Sequence, residues 1–357
     1  MRMLRLAVRA LPAALLAAAV SASAPAQAST PSREHERLTQ VSQPLAEANA
    51  ALQAGEADKA LALLNSLPPS GVSLAEASNL ECRVRLTLEQ WNAALTECQQ
   101  AVGLDGENSR YHLWLARALG EKASRASFLT AYALAKRVRA ELEEAVRLDP
   151  RDADALFDLG EFYRQAPGIV GGGIDKAQGV VAQLDKVDPA RAHQLHGRIA
   201  EQQKDYDTAE REFKEAIAAG AHPASEWISL AGFYRRRKRW TEMESAVHSA
   251  SAAAERDRRA GPRDGLALYD GASLLAETDR DPALAAKMLD DYLASPAKTE
   301  EAPAFVAHIR LARLKEQLGD ATAANREQAA ALALAHEYQP VQDRSRQETN
   351  RGQETRR

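Results

Sequence analysis

Aromatic residues are scarce in this 357-residue chain, at 5% of the total, although 45% of it is hydrophobic. That balance suits Ala- and Leu-rich paired helices better than a large β core. Cysteine is scarcer still, with two residues that do not stand in a C-x-x-C spacing, so a catalytic redox pair is not expected. Beyond residue 28 no apolar run approaches the roughly 20 residues a membrane-spanning helix needs. Positive charge is not in excess either. The formal net charge is -4, which argues against general nucleic-acid binding, since that usually comes with a basic surface. There is no G-x-S-x-G, no H-E-x-x-H and no recognisable pairing of nucleophile and base. No enzymatic activity, cofactor or metal is expected from these absences.

What is present begins with a leader. Met1 to Ala28 carries Arg2, Arg5 and Arg9, then the apolar run Leu11 to Val20, then Ala26-Gln27-Ala28. A basic start, a short apolar core and an A-x-A end predict a secretory signal peptide cut after Ala28, and hence a periplasmic protein. A mitochondrial presequence is the rival, because no acidic residue precedes Glu34. No Cys follows the cut, so a lipid anchor there is unsupported. Loss of the three arginines takes the net charge from -4 to -7. Residues 29–38 read as a flexible leader. At the other end, 339–357 is almost devoid of apolar residues and reads as a disordered polar tail.

Between them a pattern recurs about every 34 residues: a helix ending near a small residue, a second helix, then a Leu-Asp-Pro-like turn. Leu159, Gly160, Tyr163, Ala177, Val181 and Pro189 mark one unit. Trp227, Leu230, Ala231, Tyr234 and Ala250 mark another, Gly197, Ala209, Phe213 and Ala216 a third, and Cys82, Ala94, Cys98 and Ala101 a fourth. Small residues belong where two helices cross closest, because a larger side chain would push the backbones apart. This pattern resembles the tetratricopeptide repeat family, across nearly the whole chain after the leader. Taking the small residue of each second helix, Ala60, Ala94, roughly Val138, Ala177, Ala209, Met243, Ala285 and Ala324 predict about eight helix pairs over 39–338. The resemblance implies an all-α, right-handed superhelical solenoid of antiparallel helix pairs. The stretch Tyr111 to Pro150 departs from the period, and its inserted Gly120 to Ala131 is expected to lengthen a link.

In this register Cys82 stands at the crossing position of a first helix and Cys98 at a packing position of its partner. A disulfide is expected, worth roughly 3 kcal/mol for a closed loop of about 17 residues. The other reading is two small buried thiols, each standing where Ala would.

The resemblance also implies that first helices line a concave groove, with the residue after each crossing position pointing into it. Those residues are Arg83, Arg117, Glu161, Arg198 and Gly232, joined one turn on by Arg164 and Arg235. Arginine gathered on one face of an acidic chain suits carboxylates, which guanidinium grips bidentately. Pairing of these arginines with Glu and Asp of neighbouring helices is the competing outcome. A second basic patch, Arg236, Arg237, Lys238, Arg239 and Trp240, falls at a first helix's end. It reads as a solvated run complementing the helix dipole, or as a docking patch for phosphate or carboxylate groups, including anionic lipid heads. Gly171-Gly172-Gly173 lacks the preceding strand of a phosphate cradle and reads as an enlarged rim loop with positive φ angles. His193 and His196, three apart on a helix, lack a third ligand in any known metal motif.

The sequence therefore points to a non-catalytic envelope scaffold that binds a partner protein or peptide, acidic or with a free C-terminal carboxylate. The alternative is an accessory subunit or hydrolase acting on envelope polymers such as peptidoglycan, which a pocket holding two carboxylates would favour.

Overall fold

The computed structural model describes residues 31–67, 73–260 and 265–339, with side chains described from 42 on except at 73 and 259–260. The expected signal peptide and all but the first residue of the polar tail lie outside them. The chain divides into the units Met1–Thr39 and Gln40–Arg357, and the architecture is that of the second. The backbone is helical from Pro31, where a flexible leader to residue 38 is expected from the sequence.

Among the described residues there are sixteen α-helices and no strand. They pair into eight hairpins: α1 (Pro31–Ala54) with α2 (Ala57–Asn65), α3 (Ser73–Thr87) with α4 (Trp91–Leu104), α5 (Ser109–Ser124) with α6 (Phe128–Leu148), α7 (Ala153–Gln165) with α8 (Ile174–Leu184), α9 (Pro189–Gln202) with α10 (Tyr206–Ala219), α11 (Ala224–Arg236) with α12 (Trp240–Ala260), α13 (Leu266–Glu277) with α14 (Pro282–Ala294), and α15 (Ala304–Gln317) with α16 (Ala321–Leu334). Each of the eight sequence markers, from Ala60 to Ala324, falls in a different second helix and is buried or at the edge of burial. Small residues on the first helices are used in the same way. A Cβ on Gly197 of α9 would lie 3.3 Å from the Phe213 ring of α10, and one on Gly160 of α7 would lie 2.3 Å from Leu195 of α9.

Six of the hairpins close with the same turn. A left-handed residue (Gly55, Glu89, Lys204, Lys238, Asp279 or Gly319) follows the first helix. The next N–H then bonds back five residues: Glu56 to Ala51, Gln90 to Arg85, Asp205 to Ala200, Arg239 to Tyr234, Arg280 to Leu275 and Asp320 to Lys315, at 2.8–3.0 Å. This is the Schellman arrangement, which satisfies a helix's last carbonyls while reversing the chain. Aspartate then starts several of the following helices, accepting a backbone N–H at Asp205, Asp281 and Asp320.

The two exceptions are the hairpin that carries the insertion Gly120 to Ala131 and the one that carries the glycine run Gly171 to Gly173. Between α5 and α6 the link is three residues, Arg125 to Ser127. The insertion has gone into the helices instead of the loop, and α6 runs for 21 residues. Between α7 and α8 a 3-10 turn, Gly168–Val170, precedes Gly171 and Gly173 with φ of 94° and 155°. A Cβ on Gly172 would sit 1.9 Å from the Ala166 carbonyl oxygen.

First helices pack on one another: α3 on α5, α7 on α9, α9 on α11, α11 on α13 and α13 on α15. They form the inner layer and the second helices the outer one. The array then closes on itself. Ala48, Ala51 and Leu52 of α1, Ala60, Leu61 and Leu64 of α2, and Leu80 and Val84 of α3 share one core with Phe305 and Ile309 of α15, Ala331 of α16, and Ala335 and Tyr338 beyond it. Gly55 fits against Ala304, whose backbone nitrogen would be 2.3 Å from an added Cβ. His336 Nδ1 and N–H meet the Asp58 carboxylate at 2.7 and 2.9 Å, and the Tyr338 hydroxyl donates to Glu89 at 2.9 Å. A repeat array normally needs polar caps on its terminal units. Here the first and last hairpins cover each other.

Candidate functional site

The residues expected to line the groove lie on the first helices, and each arginine among them meets a carboxylate of this chain. Arg117 of α5 donates from Nε to Asp158 of α7 at 2.7 Å. Arg164 of α7 grips Glu161 through Nε and Nη2 at 3.1 and 2.7 Å, and Arg198 of α9 reaches the same carboxylate at 3.3 Å. Arg235 of α11 bonds Glu277 of α13, and Arg191 of α9 bonds Asp154 of α7. Burial alone would raise the Glu161 carboxyl, yet Arg164, Arg198 and Gln165 outweigh it and hold it below the ordinary value. The arrangement is a ladder of charge pairs tying α5 to α7, α7 to α9 and α11 to α13. Its side chains remain partly open: Arg117 is 27%, Arg198 34% and Arg235 36% exposed.

Arg83 is a correction to the expected contact set. It is 1% exposed, and no ligand reaches it. Its guanidinium is held by both oxygens of Glu300, with Nε at 2.8 Å from Oε2, and by Asn49 at 3.3 Å. Glu300 sits in the link between α14 and α15, so this buried pair fastens the seam between the two ends of the array. Gln53 of α1 donates to the same carboxylate at 3.0 Å. The indole of Trp114 lies between the guanidiniums of Arg83 and Arg117, at 5.2 and 4.7 Å. Trp114 and Asp158 are inner-face residues the sequence reading missed. Each precedes a predicted groove position, Arg117 and Glu161, by three residues, one turn along the same helix face.

The second basic patch is also neutralised from within. Arg236 forms a bidentate pair with Glu201 of α9 at 2.8 and 2.7 Å, and Arg237 stacks 3.6 Å from the centroid of Tyr206. Arg239 bonds Glu210 and Glu242, while the Trp240 ring takes Arg280 at 5.2 Å. Lys238 supplies the left-handed residue of the turn. The run therefore joins hairpins, where an open anion-docking patch was the functional expectation.

Glu210 carries a pH consequence. Burial would raise its carboxyl, but hydrogen bonds from Lys214, Arg239 and Tyr234 outweigh that and hold it down at about 2, against an ordinary 4.5. A depressed folded value stabilises the fold above the ordinary value, and that stability is lost as pH falls toward 2. Glu210→Gln is expected to remove this portion. Its thermal midpoint should decline less than the native protein's between roughly pH 5 and pH 2. Equal slopes would show that solvent screens the cluster.

The remaining candidates resolve simply. His193 and His196 both turn Nδ1 to one oxygen of Glu212 on α10, at 2.8 and 3.3 Å, and no group of three metal-ligating residues is found among the described residues. In the glycine loop the Gly173 N–H bonds the Tyr163 carbonyl at 2.8 Å, and Lys176 caps the Gly171 carbonyl at 2.8 Å. Cys82 and Cys98 form a disulfide between α3 and α4. A cavity of about 470 Å³ between α10, α11 and α12 is lined by Ile217, Trp227, Leu230, Tyr234 and Ala246, with one carboxylate, Glu242, already bonded to Arg239.

Stacked helix hairpins, with small residues at their crossings and first helices inward, define an all-α helical-repeat solenoid. Its fold is of the tetratricopeptide-repeat type. No family model and no curated protein sequence matches the chain. Among solved structures it is similar to a thermophilic tetratricopeptide-repeat protein of Thermus thermophilus, at 18% identity over 54% of this chain and 98% of that one, with a TM-score of 0.45. It is similar to a tetratricopeptide repeat protein from Parabacteroides merdae at 15% identity over 78% and 99%, TM-score 0.42. A third is yeast Tom70, at 14% over 81% and 66%, TM-score 0.44. None of the described helices is long and apolar enough to cross a membrane.

Proposed function

We propose that this protein is a non-catalytic scaffold of the bacterial cell envelope that binds a partner protein or peptide on its inner face. The observation that carries this reading is the ladder of partly exposed arginine–carboxylate pairs running along consecutive first helices from α5 to α13. Exposed pairs of this kind are individually weak, so an incoming carboxylate can replace an internal one at little cost. Arg117, Arg164, Arg198 and Arg235, with Glu161 between them, are the contact residues, and an acidic segment or a C-terminal carboxylate is the partner chemistry. Export to the periplasm is supported by the leader pattern at Met1 to Ala28 and by a disulfide, which persists in oxidising compartments.

The test is affinity capture from envelope extract by the native chain beside Arg117→Glu/Arg198→Glu/Arg235→Glu, with captured proteins identified by mass spectrometry. A partner held by the native chain and lost by the variant is the expected result. Because the same arginines tie hairpins together, helicity and thermal midpoint of the variant are measured alongside. Equal capture by a folded variant would remove the inner face from the reading.

A further inference from the structure

Away from the inner face, the tip of the α5–α6 hairpin combines three features. The first is height. α4 begins three residues before its crossing marker Ala94 and ends ten after it, whereas α6 begins ten residues before Val138 and also ends ten after it. The extra residues of α6 therefore all lie at the tip, adding about seven residues or on the order of 10 Å at 1.5 Å per residue. The second is apolar exposure. Phe128 and Leu129, side by side at the start of α6, are 77% and 79% exposed, more than any other large hydrophobic residue described. Tyr132 follows one turn along from Phe128, and Lys136 one turn further, its Nζ 4.6 Å from the Tyr132 ring.

The third feature is charge. From Lys122 to Ala140 there are five cations, Lys122, Arg125, Lys136, Arg137 and Arg139, and no Asp or Glu, in a chain of net charge -4. Arg125 pairs with Glu121, and Arg139 approaches Glu143 at 3.6 Å. Lys122, Lys136 and Arg137 have no carboxylate partner among the described residues. The cations of the other basic run, in contrast, are mostly paired to Glu201, Glu210, Glu242 and Glu277.

We infer that this tip docks on an anionic phospholipid surface, with Phe128 and Leu129 entering the boundary between headgroups and acyl chains and Lys136 and Arg137 of α6 resting on the phosphates. Two exposed bulky apolar side chains at the end of a lengthened hairpin, with cations that have no carboxylate partner along the same helix, match the two attractions of an interfacial anchor, apolar burial and headgroup charge. Docking here leaves the inner face free and does not depend on what binds there.

The test is cosedimentation of the chain from Ser29 onward, where the leader pattern predicts cleavage, because Leu11 to Val20 would itself enter lipid. Vesicles of equal parts phosphatidylglycerol and phosphatidylcholine are compared with vesicles of phosphatidylcholine alone. Binding to the anionic vesicles is expected, falling about tenfold for Phe128→Ser/Leu129→Ser and severalfold for Lys136→Glu/Arg137→Glu or in high salt. Since all four side chains are solvent-facing, thermal midpoints should match the native protein's. No sedimentation with anionic vesicles, or sedimentation unchanged by Phe128→Ser/Leu129→Ser, would overturn the inference. Vesicles left unbound while the same variant loses a protein captured from envelope extract would overturn it too, and would assign the tip to a protein partner.

Discussion

Glu300→Ala is expected to cost about 3–5 kcal/mol of unfolding free energy, the usual range when one partner of a buried ion pair is removed. The side chains of Arg83 and Glu300 are 1% and 6% exposed. Arg83 Nη1 already has no hydrogen-bond partner. Without the carboxylate, the guanidinium would keep Asn49 and the Trp114 ring as neighbours, which do not neutralise a cation taken out of water. Asn79, one turn before Arg83 on α3, is fully buried with both side-chain polar atoms unpartnered, so it offers no relief as placed. The chain has one escape, which is to part the seam and let water reach Arg83. Equilibrium urea unfolding should therefore show a large loss of stability, and small-angle scattering of the variant an increased radius of gyration.

The double replacement Arg83→Met/Glu300→Leu separates charge from packing. It removes both buried charges and keeps most of the volume, so it should recover most of the loss, to within about 1–2 kcal/mol of native. A double variant as unstable as Glu300→Ala would mean that the loss comes from packing at the seam. A single variant costing under about 1 kcal/mol would mean that the guanidinium finds water without opening the array.

Much of this architecture was legible because an alanine or its equivalent recurs wherever two helices cross. Ala60, Ala94, Val138, Ala177, Ala209, Met243, Ala285 and Ala324 each mark a second helix, so both the helix pairing and the unit count follow from them. The two irregular hairpins were visible, one as the break in the period at Gly120 to Ala131 and the other as the enlarged loop at Gly171 to Gly173. The periodicity could not say whether the first break lengthens a loop or its helices, because helix ends depend on caps and turns that the repeat does not encode. The inner face was legible as a face and illegible in its pairing. Arg117 meets a carboxylate 41 residues on and Arg235 one 42 residues on, each in the next first helix, a spacing of about one repeat that only a search for acids one unit along would find. Glu300 is 217 residues from Arg83, and no periodic signal links them. That contact exists because the array comes round on itself, a property of the accumulated angle between hairpins and not of any one of them.

Removal of the Cys82–Cys98 cross-link is expected to cost about 3 kcal/mol, the chain-entropy value for a closed loop of about 17 residues. The bond joins α3 to α4, with both residues fully buried. Choice of replacement decides what is measured. Serine would place two hydroxyls where neither is assured a partner, adding desolvation to the loss of the cross-link. Alanine occupies the same kind of crossing position at Ala116 of α5 and Ala231 of α11, so Cys82→Ala/Cys98→Ala comes closest to isolating the cross-link. Its urea midpoint, compared with that of the native protein in oxidised and reduced form, should fall with the reduced native protein. A double-alanine chain as stable as the oxidised one would show that α3 and α4 are held by packing alone. The effect should also couple to the seam, since Cys82 and Arg83 are consecutive residues of α3 and any slip of that helix moves the guanidinium away from Glu300. Combining Cys82→Ala/Cys98→Ala with Glu300→Ala should therefore cost less than the sum of the two separate losses, by more than the roughly 0.3–0.5 kcal/mol within which independent sites add. Strict additivity would place the cross-link and the closure in separate cooperative units of the same solenoid.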